Sequence, residues 1–373
     1  MRTERLTQLL AQRKRDNVCR VRRVSHAGIL NFSSNDYLSL SEDVRIKNAY
    51  QKGFAQYPCG SGGSMMVSGY HPIHRALEKN VAEALSVDDC LLFSSGYAAN
   101  MAVVALLARI DMRLLIDKAI HASVYDGIAL SHAAYERFTH HDLHDLKRKI
   151  TASTGDRVIL TESVFSMSGQ QTVLQGIAAL CAAHDVSAVV DEAHAFGVYG
   201  AQGLGLVHQQ QLTQDTVPLR IIPFGKALVS TGALVAGKQE WIDALVQVAR
   251  PAIYSTAISP AHAYGILKTF DIVRDENNRR VVLMALIQQF REHVRQSPLT
   301  WRDSPTAIQQ LQLGCPAQAI KVSEQLREAG IYCMAIRQPT VSKKETGLRI
   351  ILNYQHQAHD IAFLFNKLHT LCA

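Results

Sequence analysis

Through the middle of the chain, short apolar runs alternate with stretches in which apolar residues return every three or four positions. Cys90 to Ser94 (CLLFS), Arg157 to Thr161, Ser187 to Asp191, Leu219 to Pro223 and Gly232 to Ala236 read as strands. Tyr97 to Ile110 and Gln175 to His184 have helical spacing. Strands that are apolar throughout are buried on both faces, and their alternation with helices marks a largely parallel sheet covered by helices. From Ala261 the pattern changes to a helical stretch reaching about Arg295, then to short strands around a helix over Ala317 to Ala329. The expectation is an α/β chain with an N-terminal arm over 1–40, a large domain over 41–270 and a smaller α+β C-terminal domain over 271–373. The chain shows no internal repeat or low-complexity linker, so the division is expected to be compact rather than strung out.

Composition narrows the class without naming it. With 47% hydrophobic and 19% charged residues, the 373-residue chain has the make-up of a globular protein rather than a disordered one. Apolar runs such as Met101 to Leu107 stop well short of the ~18 residues that a membrane-spanning helix needs. The Arg-rich start, MRTERLTQLLAQRKR, carries Glu4 and lacks a long apolar region, so it reads as part of the mature fold. Seven scattered cysteines without a CxxC pair fit free thiols in a reducing cytoplasm. The formal charge of +7 is concentrated partly in Arg13, Lys14, Arg15, Arg20, Arg22 and Arg23. That cluster reads as a solvated helix face, or as a surface for an anionic substrate such as CoA or an acidic carrier protein.

Three segments carry candidate chemistry. SSGYAAN (94–100) lies where a strand gives way to a helix, and the exposed amides of a helix start favour phosphate. VVDEAHAFGVYG (189–200) brings Asp191 to the carboxyl edge of the sheet, the ligand-binding edge of open α/β folds. A carboxylate there can keep a heteroaromatic nitrogen protonated. Asp191-Glu192-Ala193-His194 also spells a helicase motif, but that reading requires a GxxxxGK[ST] loop, and the sequence has none. In IIPFGKALVSTGALVAG (221–237), Lys226 sits among small and apolar residues, surroundings that lower an amine's pKa and leave it nucleophilic. A lone lysine in such a stretch usually snorkels to the surface. The order of phosphate turn, Asp-x-x-His and lysine, each at a strand end, argues for the nucleophile.

With these segments in place, the chain resembles the α-oxoamine synthases, fold-type I pyridoxal-phosphate enzymes with an aspartate aminotransferase-like fold. NFSSNDYLSL (31–40), GSGGSMMVSGYHPIHRALE (60–78), SSGYAAN, DKAIHASVYDG (117–127), TESVFSMSG (161–169), VVDEAHAFGVYG, FGKAL and IYSTAISP (253–260) follow one another in family order from about Leu10 onward. The resemblance implies a large domain with a mainly parallel seven-stranded sheet, pyridoxal 5'-phosphate as cofactor and a homodimer in the cytoplasm. No metal, membrane or nucleic acid is expected as a partner.

By position, the resemblance makes Lys226 the lysine that carries the cofactor, Asp191 the partner of its ring nitrogen, and His194 and Ser166 the partners of its ring oxygen. Gly96 and Tyr97 would offer amides to the phosphate, and His121 would stack over the ring and contact substrate. Glu162 and Asn35 would support the site, with Asn35 also touching substrate. Arg20 matches a substrate-contacting arginine, Arg349 the holder of the amino-acid carboxylate, and Asn353 a position near the C-terminus that often bears a substrate-contacting Thr. AIRQPTV (335–341) followed by LRI (348–350) points to the branch that joins L-alanine to a pimeloyl thioester, on CoA or a carrier protein, on the way to biotin.

The chain also departs from the family. Pro223 stands where a Thr hydroxyl usually reaches the phosphate, which leaves Thr256, of this or a partner subunit, to compensate. Val229 replaces a glycine, and Ser259 replaces a proline. These departures keep two alternatives open: a relative using glycine and a short acyl group, such as 2-amino-3-oxobutyrate CoA ligase, or a member of low activity. A nucleic-acid-binding protein is the alternative from another class. His140, His141 and His144 beside Asp142 suggest a metal cluster by spacing, but the resemblance places them at a polar turn.

Overall fold

A strand covered on both faces needs apolar residues at successive positions, and the larger unit's sheet has seven strands, most of them of this kind, with the polar, partly exposed Tyr135–Phe138 at one edge. They are β1 (Asp89–Phe93), β2 (Arg113–Asp117), β3 (Tyr135–Phe138), β4 (Arg157–Glu162), β5 (Ser187–Asp191), β6 (Leu219–Pro223) and β7 (Ala233–Gly237). Their order is β1-β7-β6-β5-β4-β2-β3. β2 to β6 run parallel, and β7 runs antiparallel to both β6 and β1. Leu114, Ile116, Leu160, Val189 and Ile221 pack with Val103 and Leu107 into one hydrophobic core. The alternate residues Leu115, Ile159 and Ala188 pack with Ile150, Ile177 and Phe138 into another. The strands are therefore sandwiched between helix layers, as the uninterrupted apolar runs require.

The computed structural model describes residues 2–24 and 28–372. The larger unit comprises Leu38–Phe165 and Gln171–Arg280, and the remaining segments form the smaller one. This grouping departs from the chain-order division at 40 and 270. Leu30–Asn31 pairs in parallel with Ile331–Tyr332, and the Ile351 amide donates to the Phe32 carbonyl at 2.8 Å. Gly169 joins Ser166–Gln170 to the same unit. Its carbonyl accepts from the Ser304 and Thr306 hydroxyls at 3.0 and 2.8 Å, and at φ +69° any side chain would collide with the Ile308 carbonyl. The helical stretch expected from Ala261 to Arg295 is two helices, Pro260–Asp275 and Asn277–Gln296. They part at Asp275-Glu276-Asn277-Asn278, residues that compete with helix formation through their own side chains. Glu276 is further held there by Arg45 and, at 3.0 Å, by Arg279.

The smaller unit carries β8 (Ile308–Gln312), β9 (Met334–Ile336) and β10 (Gly347–Ile351), antiparallel in the order β9-β10-β8. Its core includes the buried His356, stacked on Phe32 with ring centroids 4.1 Å apart. His356 Nδ1 accepts from the Asn353 amide at 3.0 Å. Burial pushes this imidazole down to about 4, so it is neutral in the folded chain at pH 7. Unfolded, it titrates near 6.5, and the unfolded chain takes up the proton first as pH falls. The stability His356 contributes is therefore complete above pH 6.5 and is lost progressively toward pH 4, by about 3 kcal/mol. Urea titrations between pH 6.5 and 4 should give a stability slope flatter by up to about 1.4 kcal/mol per pH unit in His356→Gln than in the parent.

Candidate active site

The larger unit gathers eight of the sequence-singled residues: Gly96, Tyr97, His121, Glu162, Asp191, His194, Lys226 and Thr256. Asp191 ends β5 and Lys226 follows β6, both at the carboxyl edge of the parallel strands, while Glu162 ends β4 in register with Asp191. Asp191 is 7% exposed, and its carboxylate accepts from the Asn100 amide at 2.8 Å and the Ala193 N–H at 2.9 Å. Burial pushes its pKa up, while Asn100, Ala193, His121 and Lys226 pull the other way. Such a carboxylate calls for a cationic N–H partner.

His121 is the N-cap of helix Ala122–Ser131, with Nδ1 accepting from the Ser123 N–H at 3.3 Å. The proton of its neutral form thus lies on Nε2. Loss of hydration, aided by the charge of Lys226 and opposed by Asp191, pushes His121 below its ordinary value. His194 is buried in the turn after β5.

Gly96 and Tyr97 open helix Gly96–Arg109, capped by the Ser95 hydroxyl, which accepts from the Ala98 N–H at 3.1 Å. The first amides of such a helix have no partner within it and favour an anion. A Cβ on Gly96 would lie 2.6 Å from Pro223 Cγ, so the ring of Pro223 packs against the helix start where only glycine fits. Tyr97 sends its hydroxyl to Asp126 and meets His121 edge-on at 6.1 Å. Thr256 lines a small cavity with Ser94 and Phe93, beside the same strand end.

Val229 occupies the left-handed region at φ +43°, which explains why glycine suits this position. Its N–H donates to the Lys226 carbonyl at 2.9 Å, and the Ser230 N–H donates to the Phe224 carbonyl at 3.1 Å, closing the lysine loop. A β-branched residue there costs about 1–2 kcal/mol. Val229→Gly should gain about 1 kcal/mol net of glycine's added chain entropy, measurable as a rise in Tm of a few degrees.

Arg20, Asn35, Ser166, Arg349 and Asn353 belong to the smaller unit. Arg349 on β10 donates through Nε to the Ser166 carbonyl at 2.6 Å and through Nη2 to Asn35 Oδ1 at 3.1 Å. Burial raises the pKa of the adjacent Tyr37 and the charge of Arg349 opposes the rise, so the guanidinium is held by three neighbours. Arg20 and Arg349 line one cleft of about 470 Å3. Asn353 is placed differently: it is buried in the 353–356 turn, where its Oδ1 accepts from the Gln355 N–H at 3.1 Å. Thr340, unnoticed in the sequence, lines the cleft together with Arg337 and Met167. Asn100 was also missed, although an amide on the buried face of the apolar helix YAANMAVVALLARI was a readable signal. His140 is taken up by Asp117, with Nδ1 at 2.9 and 3.0 Å from the carboxylate oxygens.

The cluster fits pyridoxal phosphate part for part: helix-start amides for a phosphate, a buried carboxylate for a ring N–H, and an amine on a tight loop. The fold and this cluster place the chain among the fold-type I pyridoxal-phosphate enzymes, and the class I and II aminotransferase family model matches residues 27–363. The chain is 38% identical over 340 residues to an 8-amino-7-oxononanoate synthase of Pseudomonas fluorescens, covering 91% of this chain and 87% of that one. The solved 8-amino-7-oxononanoate synthase of Francisella tularensis is similar at 29% identity and TM-score 0.81, over 93% of this chain and 97% of that one. The serine palmitoyltransferase of Sphingomonas wittichii shares the fold at TM-score 0.90 and 22% identity, over 98% and 96%. The chain belongs to the 8-amino-7-oxononanoate synthase family. No helix among the described residues is long and apolar enough to cross a membrane.

Proposed function

We propose that this protein condenses L-alanine with a pimeloyl thioester, releasing the thiol and CO2 and forming 8-amino-7-oxononanoate in biotin biosynthesis. The observation that carries the reading is the buried Asp191, within electrostatic reach of Lys226 and His121 at one sheet edge. The similarity to 8-amino-7-oxononanoate synthases supports the choice of substrates. Cytoplasmic location, a homodimer and delivery of the acyl group on CoA or a carrier protein belong to the same proposal.

When bound, pyridoxal phosphate supplies a sink for the electron pair left at the amino acid's α-carbon. Asp191 would hold the ring N–H, Gly96 and Tyr97 the phosphate, and His194 and Ser166 the ring oxygen. Lys226 would carry the cofactor covalently and, once displaced by alanine, accept the α-proton on Nζ. Arg349, steadied by Ser166 and Asn35, would fix the alanine carboxylate through paired hydrogen bonds. His121 Nε2–H would donate to the thioester oxygen as charge develops there. A carbon–carbon bond forms between the alanine α-carbon and the acyl carbonyl, the sulfur leaves with its electron pair, the alanine carboxylate departs as CO2, and the proton held on Lys226 Nζ would return to the α-carbon.

The test compares thiol release by the holoenzyme with L-alanine plus pimeloyl-CoA against glycine plus acetyl-CoA. Faster turnover of the first pair is expected, and a preference for the second would overturn the assignment in favour of the glycine-using relatives.

A further inference from the structure

The larger unit holds a cavity apart from the cluster around Lys226. It measures about 670 Å3 and lies beside the amino ends of β1 and β6, between residues 85–87 and the segment 207–217. Its walls are tied together. Gln214 Nε2 donates to Asp88 Oδ1 at 2.8 Å, and the Asp88 N–H donates back to Gln214 Oε1 at 3.2 Å. On the rim, Lys238 pairs with Asp215 at 2.7 Å. A braced cavity of this size falls in the range of about 300–1,000 Å3 that small organic molecules occupy.

One charged side chain on its wall has donors to spare. Arg220 lines the cavity although the residue is 3% exposed. Its Nε and Nη2 are taken up by Glu192 and the Leu204 carbonyl, whereas Nη1 donates to no atom of the described residues. Both N–H bonds of Nη1 are therefore open to a ligand, and a donor that is kept from bulk water without a partner is costly to leave so. His208, on helix Gly205–Gln209, lines the same cavity. Burial and then the charge of Arg220 push its pKa down against the pull of Glu192, so the imidazole is neutral at pH 7.

The charges around the cavity already cancel. Arg220 is matched by the fully buried Glu192, and Asp215, the one carboxylate among the described lining residues, by Lys238. An anion set against Arg220 would add an unbalanced negative charge beside Glu192, while a neutral carbonyl can accept from Nη1 and leave the pair intact. Leu85, Val87, Leu212 and Val217 supply apolar wall for the rest of such a molecule. We propose that this cavity binds a small neutral molecule with an amide or ketone carbonyl on an apolar body, the carbonyl oxygen accepting from Arg220 Nη1. The site is separate from the condensation reaction and does not depend on it.

The experiment is calorimetric titration of the holoenzyme with benzamide, and with benzoate as its charged counterpart of equal size. Benzamide should saturate a site that prefers it over benzoate by about 10-fold or more. A201W fills the cavity from its exposed rim, removes no side-chain hydrogen bond and should abolish this binding. E192M/R220M removes the donor without stranding a buried charge and should weaken it by about 10-fold or more. Because A201W keeps the Glu192–Arg220 pair, the test stands even if the double variant does not fold. R349M should bind benzamide as the parent does. Loss of binding in R349M with retention in A201W would put the probe in the cleft of the smaller unit and overturn the proposal. Absence of saturable benzamide binding at millimolar concentrations, or tighter binding of benzoate at the site that A201W closes, would overturn it as well.

Discussion

Lys226→Ala protein is expected to lose turnover by a factor on the order of 10⁴ or more, because a nucleophile that works as a unit with its partners cannot be replaced by them. It should also lose the cofactor adduct that borohydride reduction fixes to the 226-containing peptide of the parent. Lys226→Arg should not rescue either property, since a guanidinium stays protonated and does not add to an aldehyde. The fold should survive both changes. Lys226 is half-buried, and the bond that closes its loop is made by its backbone carbonyl to the Val229 N–H. Parent-like turnover by Lys226→Ala would remove the central residue from the proposed mechanism.

The second large effect concerns stability and lies directly behind the site. Glu192 follows Asp191 and is fully buried, accepting from the Val207 N–H at 3.0 Å and from Arg220 Nε at 2.9 Å. Arg220, on β6 and 3% exposed, also donates to the Leu204 carbonyl at 2.6 Å. Arg220→Met leaves the Glu192 charge buried without its partner and should cost about 3–5 kcal/mol in urea denaturation. Removing both charges in Glu192→Met/Arg220→Met should recover much of that loss, since two apolar side chains of similar volume leave nothing uncompensated. A cost below about 1 kcal/mol for the single change would show that water reaches Glu192, contrary to its burial. The pair also explains the acidic second residue of Asp-Glu-Ala-His: Glu192 is structural, and its N–H donates to the Ile221 carbonyl at 2.9 Å, tying the end of β5 to β6.

The two departures nearest the lysine become intelligible through geometry. Val229 keeps the left-handed backbone that a glycine would adopt freely, so the substitution changes strain rather than shape. Pro223 removes a hydroxyl but packs its ring on Gly96, holding the helix start against β6. Asn353 lies close in sequence to Arg349, yet its side chain caps a turn, while Thr340 and Arg337 reach the cleft.

Most of the larger unit was legible in the amino-acid order. Apolar runs such as Ser187–Asp191 and Leu219–Pro223 coincide with strands, because burial on both faces leaves a local imprint on every residue of the run. The same holds for Asp191 and Lys226: a strand's carboxyl end is a local feature, so their shared edge followed once the sheet was parallel. What the tertiary structure alone decided are the meetings of distant segments. Ser166 joins Arg349, the 17–19 segment joins Arg337, and Arg220 joins Glu192, across separations in sequence that no periodicity records. A charged residue looks alike in sequence whether it faces solvent, a buried partner or a ligand, and only the packing around it, which sets its hydration and its neighbours, distinguishes these cases.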